Sequence, residues 1–299
     1  MRIKAYHNLS ETVVNEVLDL ESICLDYDNL KGSLFLDPTL NFDPRIKSFF
    51  LMYEKSKLIS MISMFIPTKQ EAEISVYTLP RYRQRGYFKA LLFNVVEELD
   101  KFGIPEILFV CEKSSIPGKK VLVSLNAEYE HTEYFMRFSK KKYVSGDAYR
   151  LLWLKAELKD LEKIIATSMR IFGDSYEDTK VPLVKCFESE IKEQYIALLN
   201  DELIGIGSTN LEGGDVSIFA LGLIPKYRGK GYGKELLSLM IDNLLQRGRM
   251  DITIEVNSDN ASALGLYQKI GFDIEVAYEY YRKKVSEIGG NYVLDYLCV

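Results

Sequence analysis

The chain has 299 residues, about two average domains, and 47% of them are hydrophobic, which is enough for two cores. Its net charge of −5 argues against nucleic acid or an anionic membrane as a general partner. With only two histidines, His7 and His131, neither a zinc cluster nor a histidine-based triad is supported, and no metal is expected.

The N-terminus and the cysteines bear on the compartment. Residues 1–4 lack the apolar core of a signal peptide, and no apolar stretch is long enough to cross a bilayer. The cysteines are scattered without paired spacing, as is typical of buried thiols in a reducing compartment. They are Cys24, Cys111, Cys186 and Cys298. We therefore expect a cytoplasmic protein.

The first half of the chain is predicted to alternate between strands and helices. It opens with a strand at residues 3–6 and a helix through about residues 12–24. Further strands are predicted at residues 49–53, 58–66, 73–79 and 106–111, with a hairpin arm at 129–138. The polar stretch 139–147, with three lysines and Gly146, is the most linker-like segment. It predicts two domains, residues 1–146 and 147–299.

The second half repeats this alternation. A β-prone segment at 149–156 contains the only tryptophan, Trp153. The elements predicted next are helices near 159–172 and 182–189, a hairpin around Asn200 and Asp201, a strand at 217–223, a helix at 234–246, a strand at 251–256 and a helix at 261–270. Gly271 is expected to stop that last helix. A tight turn at 289–291 and a closing strand at 292–298 end the series.

A glycine-rich segment, RGKGYGK from Arg228 to Lys234, joins the apolar run at 216–223 to the helix that follows. Its glycines permit a sharp turn and a close backbone approach to a ligand, and the first helical amides have no carbonyl partners. Such a turn is an anion cradle. The positive charge around it suits a diphosphate better than a single carboxylate, although Lys230 and Lys234 fit equally well as solvated surface charge.

Spacing separates three kinds of phosphate-binding loop. A nucleoside-triphosphate loop needs Ser or Thr directly after Gly-Lys, but Glu235 follows Lys234. A dinucleotide fold needs G-x-G-x-x-G, whereas the glycines here are spaced two and two. What remains is an R-x-x-G-x-G loop at 228–233, which by itself is equally compatible with a plain strand-to-helix turn.

The glycine segment and its surroundings have a second copy 145 positions earlier. The identical pairs are Pro225 and Pro80, Tyr227 and Tyr82, Arg228 and Arg83, Gly231 and Gly86, Tyr232 and Tyr87, Lys234 and Lys89, Leu236 and Leu91, Leu237 and Leu92, Leu244 and Leu99, Gly248 and Gly103, and Ile252 and Ile107. One unit therefore occurs twice.

The loop and a downstream segment together resemble the GNAT superfamily, whose members move an acyl group from coenzyme A, usually to an amine. The downstream segment matches N-x-x-A-x-x-L-Y at Asn260, Ala263, Leu266 and Tyr267. The resemblance implies an α/β protein of the mixed α+β type: two tandem GNAT domains, each with a central, mostly antiparallel mixed sheet flanked by helices.

The resemblance also implies how acetyl-CoA is bound. The R-x-x-G-x-G loop holds the pyrophosphate, the strand before it offers backbone groups to the pantetheine arm, and one amide polarises the thioester carbonyl. The residues expected to bind the cofactor are Leu221, Gly222, Leu223, Arg228, Gly229, Lys230, Gly231, Tyr232, Gly233, Lys234 and Asn260. Asn260 can in addition cap the helix that follows it.

The chemistry needs a base and an acid. A primary amine with a pKa of about 10 is protonated at neutral pH, and it cannot attack a thioester until it loses a proton. The departing thiolate leaves more easily if a hydroxyl protonates it, and the family pattern gives this role to Tyr267. Glu255 precedes Tyr267 at an interval similar to that in the ribosomal-protein N-terminal alanine acetyltransferases, which implies the base. The alternatives are deprotonation through water chains, with Glu255 a solvated carboxylate, and a packing role for Tyr267.

The first copy loses these groups. At the same shift, Gly233, Glu255, Asn260 and Tyr267 are replaced by Phe88, Val110, Ser115 and Leu122. We therefore predict an N-terminal unit without transferase activity. Arg83, Arg85 and Gly86 remain available to a phosphate group.

Two functions are compatible with these patterns. The first is an N-acetyltransferase that acts on the primary amine of a small molecule or peptide. The second is a non-catalytic acyl-CoA-binding sensor or regulatory module. Keeping both Glu255 and Tyr267 favours the enzyme, because a module that only binds needs the loop but not the acid. The motifs select neither the acceptor nor the oligomeric state.

Overall fold

The structure is a computed structural model that describes residues 1–146, 148–211 and 214–292. The strands are β1 (Arg2–Tyr6), β2 (Phe49–Glu54), β3 (Lys57–Phe65), β4 (Glu71–Thr78), β5 (Glu106–Glu112), β6 (Glu128–Phe138), β7 (Leu152–Lys155), β8 (Lys192–Leu199), β9 (Glu202–Asn210), β10 (Asp215–Leu223), β11 (Asp251–Asn257) and β12 (Phe272–Lys284). The helices are α1 (Glu11–Asp28), α2 (Tyr87–Phe102), α3 (Ile116–Ser124), α4 (Leu161–Phe172), α5 (Tyr176–Glu188), α6 (Tyr232–Gln246), α7 (Ala261–Ile270) and α8 (Val285–Tyr292).

The chain packs as two compact units whose boundaries follow an exchange of strands. Unit 1 comprises residues 1–132 and the chain from Val276 onward, and unit 2 comprises Glu133–Glu275. The end of β12 pairs with β5 in unit 1, and the end of β6 pairs with β11 in unit 2. These divisions differ from the predicted boundary after Gly146. The repeat shows that β6 and β12 are equivalent, but it does not say which sheet each strand joins.

Each unit contains a six-stranded mixed sheet. The strand order is β1-β2-β3-β4-β5-β12 in unit 1 and β6-β11-β10-β9-β8-β7 in unit 2. Within the described residues of each unit, β4 with β5 and β10 with β11 are parallel, and all other neighbouring strands pair antiparallel. The predicted fold class is therefore confirmed.

Helix α6 shows how packing fixes an element of the site. Its apolar residues recur at helical spacing, so that one face of the helix packs into the core of unit 2. The fully buried members are Leu236, Leu237, Met240, Ile241 and Leu244. Burying each such side chain contributes about 1.5–3 kcal/mol. The helix that follows the phosphate loop is thus held firmly in place.

Two local predictions have different outcomes. The hairpin between β8 and β9 turns at Asn200 (φ 49°) and Asp201 (φ 65°), as predicted, because both residue types tolerate the left-handed region. The turn predicted at 289–291 is wrong, since α8 runs through these residues. Val285 and Ile288 are buried in the core of unit 1, and this packing outweighs the poor helix propensity of the glycines. The predicted strand beyond residue 292 lies outside the described residues.

The cysteines of the described chain, Cys24, Cys111 and Cys186, are buried free thiols. Burial raises the pKa of each to about 11, so they are protonated and unreactive at neutral pH. No helix of the described residues combines the length and apolar character needed to span a membrane.

Candidate functional site

The central feature of unit 2 is the place where the parallel strands β10 and β11 part. Their pairing runs from Asp215 with Asp251 to Ile218 with Ile254 and then ends, although both strands continue. The register of β10 against β9 shifts between Phe219 and Gly222. Ala220 has a φ of 48°, a value uncommon for alanine, so a β-bulge redirects the backbone here. The edge of β10 at the predicted Leu221–Leu223 segment is thereby freed from β11.

Gly222 in this segment also has a packing role. A Cβ at this position would lie 2.3 Å from Cγ2 of Ile171 on α4. The carbonyl oxygen of Gly222 would likewise lie only 2.9 Å from a Cβ placed on Gly205 of β9. The glycine therefore lets α4 and the strands approach closely, in addition to any role toward a ligand.

The phosphate loop takes the predicted strand-to-helix form. Gly229 and Gly231 have φ values of 73° and 88°, and Gly231 is the N-cap of α6 without a side-chain cap. The amides of the first helical turn, 232–234, have no carbonyl acceptors within the helix. Lys230, Gly231 and Lys234 are exposed to solvent. The loop is therefore an open anion cradle at a helix N-terminus.

Arg228, predicted to bind the cofactor, is engaged with backbone. Its Nε donates to the carbonyl of Leu223 at 3.0 Å, and its Nη2 donates to the carbonyl of Ile171 at 3.0 Å. These bonds connect the loop to the end of β10 and to the last turn of α4. The side chain thus fixes the position of the loop.

Glu255 stands near the end of β11, opposite Phe135 of β6. The next pair on the same face joins Asn257 and Glu133. Part of the Glu255 side chain is exposed to solvent. The protein atoms around its carboxylate nevertheless exclude much of the water from it. This desolvation, followed by the charge of Glu133, raises the pKa of Glu255 to about 7. Glu133 was missed by the sequence analysis because the exchange of β6 brings it into unit 2.

Tyr267 lies on α7 and is only 6% exposed. Its ring centroid is 6.1 Å from that of Phe272. Burial raises the pKa of Tyr267 to about 12, so the phenol is protonated at neutral pH. Asn260 caps the same helix, because its Oδ1 accepts a hydrogen bond from the amide of Ala263 at 3.1 Å. A cofactor contact for Asn260 remains a prediction.

The elements bring most of these residues to one edge of the sheet. Because β10 and β11 are parallel, their carboxyl ends lie at the same edge, and the loop and α7 each begin just beyond them. Helix α7 packs on the start of α6, since Cδ2 of Leu266 lies 3.5 Å from the place of a Cβ on Gly233. Ligands bind at such strand ends in open α/β sheets.

Unit 1 keeps the same backbone but not the same chemistry. Gln84 and Gly86 have φ values of 60° and 79°, and the pairing of β4 with β5 also ends before the strands do. A cavity of about 850 Å³ lies at this place, lined by Phe88, Val110 and Leu122 among others. Ser115 lines it as well, so all four replacements face this cavity.

The chain of unit 1 also occupies part of its own cleft. The amides of Lys31 and Gly32 donate to the carboxylate of Glu112 at the end of β5, at 2.9 and 2.8 Å. The amide of Ser33 donates to the hydroxyl of Tyr278 on β12 at 3.0 Å. This segment covers the strand end that corresponds to Asn257 in unit 2.

Comparison with known proteins identifies the family. The sequence model of the acetyltransferase (GNAT) family matches residues 14–120 and 158–272, together more than half of the chain. The chain therefore belongs to the acetyltransferase (GNAT) family and carries its domain twice. This confirms the predicted family and the predicted class of enzyme.

Curated relatives include acetyltransferases of two kinds. The chain is 34% identical over 95 residues to the [ribosomal protein bS18]-alanine N-acetyltransferase of Haemophilus influenzae, a match that covers 30% of this chain and 64% of that protein. It is 23% identical over 227 residues to the mycothiol acetyltransferase of Saccharomonospora viridis, covering 69% of this chain and 71% of that protein. The chain thus spans somewhat less than two thirds of the Haemophilus protein.

Solved structures share the fold of the whole chain. A GCN5-related N-acetyltransferase from Sphaerobacter thermophilus superposes with a TM-score of 0.74 at 14% identity, covering 95% of this chain and 96% of that one. A tandem GNAT protein from the clavulanic acid biosynthesis pathway gives a TM-score of 0.70 at 12% identity, covering 95% and 99%. At these identities the likeness shows the fold alone.

Proposed function

We propose that this protein transfers an acetyl group from acetyl-CoA to a primary amine of a small molecule or peptide, with the chemistry in unit 2. The observation that carries the proposal is the placement of a desolvated carboxylate at the end of β11 and a buried phenol on α7, the helix that follows β11. Glu255 has a pKa of about 7 and Tyr267 a pKa of about 12. One group is ready to accept a proton and the other to give one at neutral pH.

The cofactor fits the loop and the parted strands. The free amides of 232–234 suit a diphosphate, with Lys230 and Lys234 adding charge around it. The backbone of Leu221–Leu223, freed from β11 by the bulge, suits the extended amide groups of a pantetheine arm. A peptide N–H at this bulge is the donor proposed to polarise the thioester carbonyl.

The transfer then needs three proton movements. Glu255 takes a proton from the ammonium group of the acceptor, directly or through water, and the amine nitrogen attacks the thioester carbon. The new C–N bond forms as the C–S bond breaks, and Tyr267 donates its proton to the departing sulfur. The nitrogen that has attacked must lose one more proton to become a neutral amide. This proton returns to the Tyr267 oxygen, directly or through water, because burial disfavours a charged phenolate.

The acceptor is proposed to be cationic when it binds. Glu133 lies on the same face as Glu255, one pair along the strands, so two carboxylates face an incoming ammonium group. Opposite charge favours binding of the protonated amine, and release of its proton to Glu255 prepares the attack. The names of the two relatives point to different acceptors, an alanine of a ribosomal protein and mycothiol, and we assign neither to this chain.

Unit 1 is proposed to be non-catalytic. Val110 stands in place of the base and Leu122 in place of the acid, and neither side chain can move a proton. We retain the division into a degenerate N-terminal domain and a catalytic C-terminal domain as a proposal about function. The cysteines of the described ranges, which are buried free thiols, support a cytoplasmic location.

The proposal is tested by mixing the purified full chain with acetyl-CoA and a panel of amines. The panel includes polyamines, aminoglycosides, amino acids and peptides with a free N-terminus. We expect release of free thiol above the rate of hydrolysis with at least one amine. Tight binding of acetyl-CoA with no release for any amine would replace the enzyme by the alternative, a sensor or regulatory module that binds acyl-CoA.

A further inference from the structure

An arginine outside the predicted motif lies against the phosphate loop of unit 2. Arg150 precedes β7, and its Nη2 donates to the carbonyl of Lys230 at 3.4 Å. Its guanidinium carbon lies 4.3 Å from the ring centroid of Tyr232. Its Nη2 also lies 3.4 Å from the position that a Cβ would occupy if Gly231, the N-cap of α6, carried one. The side chain therefore stands beside the amides that form the anion cradle.

A buried carboxylate holds this arginine in place. Glu235, in the first turn of α6, accepts hydrogen bonds from the amides of Arg150 and Leu151, the latter at 2.6 Å. It also accepts a hydrogen bond from Nε of Arg150 at 3.0 Å. The Glu235 side chain is 8% exposed. One carboxylate thus binds both the backbone amide and the guanidinium of Arg150, so the side chain is held in position before a ligand binds.

The segment before Arg150, predicted to be a linker, is fixed along α6 as well. The hydroxyls of Tyr143 and Tyr149 donate to the carboxylate of Asp242 at 2.7 and 2.5 Å. Ser145 donates to the same carboxylate at 2.8 Å. These bonds hold the segment against the second half of α6, and Glu235 holds Arg150 and Leu151 at its first turn.

The hydrogen bonds that Arg150 already makes determine which of its donors is left for a ligand. Nε and Nη2 are engaged by Glu235 and by the carbonyl of Lys230, and Nη1 takes part in neither bond. The side chain is 56% exposed, so this donor is accessible to a ligand. Arg228 likewise donates from Nε and Nη2, in its case to backbone carbonyls. Arg150 therefore adds a second guanidinium beside the loop, one that is held by a carboxylate of α6 itself.

The internal repeat shows that the two units differ at the carboxylate that holds this arginine. Shifted by 145 positions, Gly231 and Tyr232 keep their identity as Gly86 and Tyr87. Glu235, however, becomes Ala90. Arg150 has no partner at this shift, because β7 and β1 align differently: Leu152 pairs with Leu198 as Arg2 pairs with Tyr53. The carboxylate that holds Arg150 is therefore absent from the unit that has lost the acid and the base.

We propose that Arg150 binds the diphosphate of the coenzyme, with Nη1 donating to an oxygen of the group that the first amides of α6 hold. This inference rests on the proposed function. A planar guanidinium fixed by a carboxylate on one edge can present its other edge to a phosphate oxygen. Arg150 would therefore extend the cradle by a charge-assisted hydrogen bond.

The test is calorimetric binding of coenzyme A and of dephospho-coenzyme A to the full chain and its variants. Arg150→Ala should weaken both ligands about ten- to hundredfold, since one charge-assisted hydrogen bond is lost and both ligands carry the diphosphate. Arg150→Gln, which keeps a donor for Glu235, guards against a folding defect and should weaken binding to a similar extent. Arg45→Ala, which removes an arginine paired with Asp43 in unit 1, is the matched control and should bind like the wild type.

The outcomes are distinguishable. Wild-type affinity in both Arg150 variants, with thermal melts unchanged, overturns the inference while leaving the proposed function standing. A loss with coenzyme A but not with dephospho-coenzyme A moves the contact to the ribose phosphate and overturns the assignment to the diphosphate. Failure of the wild-type chain to bind either ligand overturns the proposed function, and the inference with it.

Discussion

Units 1 and 2 are built on one backbone plan, and they differ at the residues that would carry the chemistry. Both have a glycine N-cap and two left-handed residues in the loop, and both bury the same leucines in the helix after it. Unit 2 adds a carboxylate with a pKa of about 7 and a buried tyrosine, where unit 1 has valine and leucine. The fold is thus kept by its core and its turn residues, independently of the site.

The two units also differ in one backbone detail. In β10 the register shifts between Phe219 and Gly222, whereas β4 pairs with β3 without interruption from Ser60 to Phe65. The loop residues match at a shift of 145, but Glu71 of β4 and Asp215 of β10, the residues that pair with the starts of β5 and β11, are 144 apart. Unit 2 therefore contains one extra residue at the bulge, where we propose that the thioester is bound.

The largest effect is expected from removing the acid. Tyr267→Phe should lower kcat by about 10²–10⁴, because the sulfur then departs without a proton, while binding of acetyl-CoA changes little. Steady-state kinetics with an amine from the panel measures this. Tyr82→Phe, which removes the hydroxyl of a buried tyrosine in unit 1, is the control and should leave kcat unchanged. Equal losses in both variants would refute the division of labour between the units.

Removing the base should have the next largest effect. The ionised form of Glu255 accepts the proton, so the wild-type rate should fall as pH drops below about 7. Glu255→Gln should lower kcat by about 10² and remove this acidic limb, with Glu133 or water taking over part of the transfer. Profiles of kcat against pH for the wild type and the variant test this expectation. If the limb persists in the variant, a water chain or another group is the base.

Glu133→Gln should have a smaller effect that bears on the acceptor. Without the neighbouring charge, the pKa of Glu255 falls, because that charge is the second cause that raises it. The acidic limb should therefore move to lower pH, and KM for the amine should rise a few-fold since one attracting carboxylate is gone. A pH profile and a KM that match the wild type would show that Glu133 does not face the acceptor.

The smallest effect concerns stability. The pKa of Glu255 in the folded state lies above the ordinary value of 4.5, so ionising this group costs folding free energy. The cost is absent below about pH 4.5, develops between there and pH 7, and stays constant above it. Glu255→Gln should therefore raise Tm more at pH 8 than at pH 4.5, as calorimetry can show. Valine already occupies this position in unit 1, so that unit carries no such cost.

Local signals in the sequence predicted the elements that position the site. Helix α7 has the predicted bounds because Asn260 caps its start and Gly271, with a φ of 118°, ends it. The loop followed from its glycines in the same way. Helix α8 was missed, because burial of Val285 and Ile288 decides it rather than propensity.

The residues that sequence analysis missed reach the site through long-range structure. Glu133 arrives with the exchanged strand β6. Arg150 arrives because Glu235 binds the start of the β-prone segment and Asp242 binds the linker-like segment before it. One signal was present for Glu235, since Ala90 at the shifted position marks a difference between the copies. For Glu133 no local pattern could indicate which sheet its strand joins.

The most direct measurement is a crystal structure of the full chain with acetyl-CoA. We expect the diphosphate on the amides at the start of α6, the pantetheine arm along Leu221–Leu223, and the thioester sulfur within hydrogen-bonding distance of the Tyr267 hydroxyl. A thioester bound only at the loop of unit 1, with the loop of unit 2 unoccupied, would contradict the assignment of catalysis to unit 2.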